Sequence, residues 1–515
     1  MTPLKPAQEQ ELLCFPIKMS INPTSEKARS NQVQRRSHYS VWIMTACLGL
    51  VSQGCTQEDP PPNFVLITLD TTRPDHLGPY GYERAHTPNL DLFAESARIY
   101  ERAYSTSSWT LASHASMLTG LLPREHGAQS MPKGSSRVLD YGVRPLSDSF
   151  RTLAEILLEA GYRTGAVVAG PALGRDLGTA QGFEFYEDEI DGPLKRWTGK
   201  RADETTDLAL GILKQFGQMP FFLFINYFDP HAPYAPPADF EWPDTLPPAK
   251  NEQATPAQEG AEPTPLIVRY IEKLNQGTKS SPRAARPADE LAEIENSLAG
   301  YDAEIAYLDL HLGRLLEAIK DLPNAENTWV IITSDHGESF GEHYFLSHGA
   351  HLYEDNVRVP LLVRSPGMKT ESRISQPVQN HALFGSILDA AALPRPDWAS
   401  LLPEEDEERE IMLEVRRSDA NIRIGGEFFN RDLYSLVAPP FKLIRSSRQE
   451  VELFDLSQDP EELKNLYDTE PKRAAQLDTR LSTLLSERPP LYPEPENLEL
   501  SKETQEALRA MGYIE

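Results

Sequence analysis

The chain of 515 residues carries 50 basic and 77 acidic side chains, a net charge of −27, with 40% apolar and 25% charged residues. That length suits one large α/β domain with a smaller companion. The acidity excludes a nucleic-acid partner, which needs a basic footprint, so an anion must be captured by a local cation or a metal.

Residues 1–55 read as an export leader. Arg35 and Arg36 supply positive charge, and Val41 to Val51 is apolar apart from Thr45 and Gly49. Such a run is too short to span a membrane and suits a signal-peptide core. Gly54-Cys55 resembles a bacterial lipoprotein cleavage site, with Met44-Thr-Ala-Cys47 as a competing match and Met19 as an alternative start. A plain secreted signal or an uncleaved anchor is the alternative. Residues 56–62 then form a polar, proline-rich tether. The expectation is an exported protein, periplasmic or associated with the outer membrane, touching the membrane only through such a lipid anchor. The three cysteines, Cys14, Cys47 and Cys55, all lie in this leader, so the body has neither a disulfide nor a thiolate nucleophile.

From 63 to 400 strand and helix patterns alternate. Asn63 to Leu69 is an apolar run ending in Asp70, the pattern of a strand buried on both faces. The second half of residues 107–120 is helical in pattern, which puts Thr110 at or just before a helix N-terminus, where N–H groups and the dipole favour an anion. A helix follows at 153–161, a strand at 164–169, an amphipathic helix at 204–216 and a buried strand at 221–228 that runs into Asp229-Pro-His231. Residues 236–290 are rich in Pro, Ala, Glu and Gln and read as a mobile insertion with a short helix near 267–274. Helical periodicity returns from Leu291 to Ala318, and Thr328 to Ser334 is a further buried strand, ending in Asp335-His336. The alternation predicts a large, mostly parallel sheet sandwiched by helices. Residues 401–515 predict a small C-terminal α+β domain, with antiparallel strands at 411–415, 441–445 and 450–455 and a helix over 472–487.

Ligands of open α/β sheets bind beyond the carboxyl ends of the strands. Asp70, Asp335 and His336 are therefore expected to converge on one divalent metal ion. Thr110 beside that ion is a candidate nucleophile, with a helix N-cap as its alternative. His231 is a candidate general acid, oxyanion contact or ligand. Arg73 is a candidate substrate contact or an ordinary salt-bridge partner.

Ordered motifs run through the chain: Asp70-Thr-Thr-Arg73-Pro-Asp75, Thr87-Pro-Asn-Leu90, Asp229-Pro-His231-Ala-Pro-Tyr234, Tyr301-Asp-Ala-Glu304, Ser334-Asp-His-Gly-Glu338 and Glu452-Leu-Phe-Asp455. Together they resemble the sulfatase family, within the alkaline phosphatase superfamily, over residues 63–515. The resemblance implies the α/β fold and a metal-dependent hydrolase that cleaves the sulfate ester of a small molecule or glycan. It also places Asp229 among the substrate-binding residues.

The departures are chemical. The family motif Cys (or Ser)-x-Pro-Ser-Arg, whose first residue becomes formylglycine, here reads Thr110-Leu-Ala-Ser-His114, so no formylglycine is expected. His114 stands for the motif Arg, as a substrate contact or a support of Thr110; Thr71 stands for the second acid of an Asp-Asp pair, His336 for an Asn, and His348, a catalytic candidate with His343 and His351 as alternatives in the same stretch, for a substrate-binding Lys. The family's Gly-Lys-Trp-His is absent after the 164–169 strand. These changes resemble branches of the superfamily that transfer phosphoryl groups through a threonine. A phosphomonoester or phosphodiester hydrolase or a phosphoryl transferase is thus the alternative, and a non-catalytic binding protein a further one. Ca, Zn and Mn are the candidate ions; an Asp-His set leans toward Zn or Mn, and Asp229, His231 and His348 are candidates for a second ion.

Overall fold

Every residue of Asn63–Leu69 is buried, as is every residue of Phe221–Tyr227. Runs of this kind place apolar side chains on both faces of a strand and demand cover on both. The computed structural model describes residues 60–130, 142–190, 199–237, 240, 266–278, 282–405, 408–492 and 501–510, and the expected leader lies outside them. No helix among the described residues is long and apolar enough to cross a membrane.

The main sheet has eight strands in the order Ser372–Ile374, Arg98–Tyr100, Leu361–Arg364, Thr328–Thr333, Asn63–Leu69, Phe221–Tyr227, Arg163–Val168 and Phe185–Glu187. The last five run parallel, whereas Leu361–Arg364 is antiparallel to both of its neighbours. Val65, Ile67 and Leu69 project into a core shared with helices Ala202–Phe216 and Ala288–Lys320. Phe64 and Leu66 project into a second core, on the other face, with Leu153–Glu159 and Ala382–Ala390. The doubly covered, mostly parallel sheet is as expected from sequence.

Ala288–Lys320, of 33 residues, ties down the loops at the carboxyl edge of the sheet. Tyr301 Oη accepts from the Arg73 N–H at 2.8 Å and donates to the Thr71 carbonyl at 2.8 Å. Asp302 Oδ1 lies 2.6 Å from His76 Nδ1, and Glu304 accepts from the Ala235 N–H at 2.7 Å. Asp309 accepts from the N–H groups of Asn89 and Leu90, satisfying the open N-terminus of helix Pro88–Ala94.

The C-terminal region builds a four-stranded antiparallel sheet from Ile411–Val415, Leu433–Ala438, Phe441–Ser446 and Val451–Asp455. Helix Pro471–Glu487 covers it through Ala474, Leu477 and Leu481. Its other face packs on Tyr104, Leu352 and Val357 of the main domain. Fully buried Lys442 bridges Glu354 at 2.8 Å and Glu462 at 2.9 Å across that junction. Within the expected insertion, Leu266–Asn275 is a helix that buries Leu266, Tyr270 and Leu274 and rests on the segment around Tyr344.

Candidate metal centre and active site

Register brings the site together. Thr68 pairs with both Asn226 and Thr333 in the two flanking parallel strands, so all three strands end at one level. Asp70 and Asp335 follow directly. The chain turns between Asp70 and Thr72 with Thr71 at a left-handed φ of 53°, which aims the Thr71 N–H at Asp335 Oδ1, 3.2 Å away. A second N–H, from His336, donates to the same oxygen at 2.9 Å. Asn226 Nδ2 donates to Asp70 Oδ2 at 3.3 Å and to Thr68 Oγ1 at 3.2 Å.

Each carboxylate thus has one oxygen held by the protein, while Asp70 Oδ1 and Asp335 Oδ2 are buried with no hydrogen-bond partner. Ligand atoms of Asp70, Asp335 and His336 lie within 4.8 Å of one another. His336 Nδ1 is 2.9 Å from the Gly337 carbonyl, which can only accept, so Nδ1 carries the hydrogen and Nε2 its lone pair. Two unpartnered anionic oxygens and an imidazole lone pair in a buried pocket fit a divalent cation, which offsets the charge that burial penalises. Burial and then Asp335 push the Asp70 carboxyl well above its ordinary range. Burial also raises Asp335, but His336, His114 and the Thr71 N–H outweigh it and hold it down.

Thr110 is the first residue of helix Thr110–Thr119, and its Oγ1 lies 3.1 Å from His336 Nε2. His114, one turn on, donates from Nδ1 to the Thr110 carbonyl at 2.9 Å and accepts at Nε2 from Thr68 at 3.0 Å. Burial holds this imidazole neutral. His114 therefore holds the Thr110 carbonyl rather than reaching outward.

His231 and His348 stand beside this group. The ring centroids of His348 and His336 are 4.3 Å apart, and those of His231 and His348 5.0 Å. His231 donates from Nδ1 to the Ala232 carbonyl at 2.7 Å, which leaves Nε2 as its basic nitrogen. Burial, then His348, lowers His231 to about 3, and burial lowers His348 to about 4. Glu338 holds His348 Nδ1 at 3.2 Å and is itself pushed by burial to about 7.

Two candidates turn elsewhere. The Arg73 guanidinium is engaged by Asp75, Glu342 and the Glu338 carbonyl and lines a different cavity from His231 and His348. Asp229 Oδ1 accepts from the Ala202 N–H at 2.9 Å, at the start of Ala202–Phe216, and its carboxyl interacts with Glu304. Burial raises Asp229 to about 7. Among the described residues, Asp70, Asp335 and His336 are the one group of three whose ligand atoms converge closely enough to hold an ion, and Asp229 Oδ1 is occupied by the Ala202 N–H. Sequence reasoning did not single out Asn226 or Glu338. The signal was present for Asn226, a lone amide inside an otherwise apolar strand, whereas Glu338 is an acid in a loop like many others.

Two carboxylate oxygens and an imidazole turned on one point can hold a divalent ion, and the Thr110 hydroxyl lies beside them at a helix N-terminus. The class so defined is that of the metal-dependent ester hydrolases of the alkaline phosphatase superfamily. Residues 62–393 match the sulfatase family model, and residues 341–488 match the model described as N-sulphoglucosamine sulphohydrolase, C-terminal. The chain belongs to the sulfatase family and is by class a sulfuric ester hydrolase. It is 25% identical over 465 residues to an arylsulfatase of Clostridium perfringens, covering 79% of this chain and 91% of the relative. It is 27% identical over 484 residues to the multifunctional alkaline phosphatase superfamily protein PehA of Trinickia caryophylli, covering 78% and 91%. A protein solved in complex with its substrate D-glucosamine-2-N,6-O-disulfate shares the fold, with a TM-score of 0.61 and 21% identity over 84% of this chain and 99% of that one.

Proposed function

We propose that Thr110 is the nucleophile of this hydrolase, that His231 and His348 move its protons, and that Asp70 Oδ1, Asp335 Oδ2 and His336 Nε2 hold Zn²⁺ or Mn²⁺. The observation that carries this reading is the Thr110 hydroxyl, buried at a helix N-terminus 3.1 Å from a metal-ligand nitrogen. A bound divalent ion there supplies Lewis-acid polarisation of the ester oxygens. Burial disfavours the charged form of both histidines; an anionic ester beside His231 offsets that penalty and favours its protonation, while His348 stays neutral and able to accept a proton.

In the first half-reaction Thr110 Oγ1 attacks sulfur, its proton passes to His348, and the leaving alcohol takes a proton from His231. Water then attacks the sulfuryl group on Thr110 and gives its proton to His231, while Thr110 regains its own from His348. Glu338 orients His348 throughout, as a carboxylate does behind many catalytic imidazoles.

A second reading, phosphoryl transfer to water or to another hydroxyl, is favoured by the same Thr110 and by His336, since neither needs formylglycine. One experiment divides the two. The purified enzyme, its metal content assayed, is offered aryl sulfate, phosphate monoester and phosphodiester panels beside Thr110→Ala. Sulfate turnover lost in the variant supports the sulfatase mechanism. Phosphate turnover without sulfate turnover overturns it in favour of the second reading. The leader supports export, with lipidation at Cys55; recovery of Cys55→Ala in the same membrane fraction as the parent would overturn the lipid anchor.

A further inference from the structure

An ester hydrolase needs a place for the alcohol that leaves, and the cavity beside Trp109, His231 and His348 supplies one. Its outer walls come from two segments remote in sequence. Helix Leu266–Asn275 contributes Ile267 and Ile271, and the stretch following Ser418 contributes Ile424 and Phe429. Tyr270, Tyr344 and Phe345 stand between them.

The chemistry of this lining is one-sided. None of the described residues that line the cavity is Asp, Glu, Lys or Arg. Its polar side chains include groups already committed: Asn421 donates to the Gly349 carbonyl at 3.1 Å, and His351 is bonded to Ser339 and to the Tyr353 N–H. Two cations beside the lining are occupied with a ring and with an acid. Arg286 stacks 3.6 Å from the Tyr344 centroid, and Lys273 pairs with Glu290 at 2.9 Å. Ile267 and Ile424 are 39% and 58% exposed, which gives the lining solvent-facing apolar side chains. Two of the lining residues are also held in a costly backbone shape: Tyr344 and Ser347 have φ of 65° and 72°. Such strain persists where surrounding packing enforces it, and it concentrates at functional sites.

We propose that this cavity binds the leaving alcohol, and that the alcohol is an uncharged, apolar ring system rather than a sulfated glycan. A glycan bearing further sulfates would bring anions to walls whose described residues include no Lys or Arg, on a chain of net charge −27. Its hydroxyls would lose water for apolar side chains, at a cost. A ring system gains by the same burial and stacks against the aromatic side chains. The proposal rests on the hydrolase function only for where the reacting ester sits.

The test uses 2-naphthol as a fluorescent probe of the full chain, with Ile271→Asp and Ile424→Asp as variants on the two separate walls. Thermal melts check folding, and exposed Ile424 keeps the test intact if Ile271→Asp does not fold. Saturable binding of 2-naphthol, weakened about tenfold or more in the variants, is expected from placing a charge against a buried ring. The same variants should raise KM for 2-naphthyl sulfate or phosphate with little change in kcat. Absence of saturable binding up to millimolar 2-naphthol overturns the proposal, as does a higher kcat/KM for glucosamine 6-sulfate than for 2-naphthyl sulfate. Binding that both variants lose, with no ester turned over, overturns the hydrolase function and leaves the ring-binding cavity standing.

Discussion

Replacing Asp70 by Asn should destroy metal binding and yet raise the stability of the metal-stripped protein. Asp70 Oδ1 and Asp335 Oδ2 are buried, lack hydrogen-bond partners and belong to a group whose ligand atoms lie within 4.8 Å of one another. At an effective dielectric constant of about 20, two unit charges at that spacing repel by about 3.5 kcal/mol. Part of this is relieved by protonation of Asp70, whose carboxyl is already raised by burial and by Asp335. A net gain of about 1–2 kcal/mol for Asp70→Asn is therefore expected, about 1–4 °C in Tm for a domain of this size. The sign with pH follows. A carboxyl whose folded pKa lies above its unfolded value costs stability as the pH rises through that interval, so the gain is largest at alkaline pH and fades on acidification. Thermal melts in EDTA and in excess Zn²⁺ or Mn²⁺ measure it. The parent should be stabilised by metal and the variant should not. A stripped variant that melts below the stripped parent at pH 8 would refute the argument that the two carboxylates are poised for a cation.

Three further outcomes test the surroundings of the site. Asn226→Leu removes the donor that orients Asp70 Oδ2 and should weaken metal binding by about 10- to 100-fold in a competition titration, with the fold intact. Gly337→Ala would place a Cβ 2.1 Å from the Asp355 carbonyl oxygen, so urea unfolding should show a loss of about 1–3 kcal/mol, accompanied by weaker metal binding through the adjacent His336. Glu414, buried in Ile411–Val415, is pushed by burial to about 7 against the pull of Arg416 and Arg124. Its folded pKa exceeds the unfolded one, so ionisation costs stability between about pH 4.5 and 7, up to about 3 kcal/mol. Glu414→Gln should accordingly gain on the parent between pH 5 and pH 8 in thermal melts, and parallel pH profiles would refute it.

What could be read in advance follows a physical division. Strands buried on both faces announce themselves as apolar runs, so Asn63–Leu69, Phe221–Tyr227 and Thr328–Thr333 were legible, and with them Asp70, Asp335 and His336. Three-residue strands such as Arg98–Tyr100 and Ser372–Ile374 carry no period and are made by their neighbours. Leu433–Ala438 passed unnoticed although it is the second strand of the C-terminal sheet. The Asp229-Pro-His231 motif was legible as a site, but not that its two polar side chains part company, one to a helix N-terminus and one toward the metal group. The short helix near 267–274 was legible inside the proline-rich 236–290, as Leu266–Asn275, but not where its apolar face docks, because it meets residues near 344 and 428, far away in the chain.

The long helix Ala288–Lys320 has a dynamic consequence. Tyr301, Asp302, Glu304 and Asp309 each hold a different loop at the carboxyl edge: those after Asp70, around His76, after His231 and at Asn89. Loops hung on one helix share its opening free energy and form one cooperative unit for local unfolding. The backbone amides of Arg73, Leu90 and Ala235, remote in sequence, should then exchange with solvent hydrogen at matched protection. A ligand that steadies one loop would slow exchange in all three.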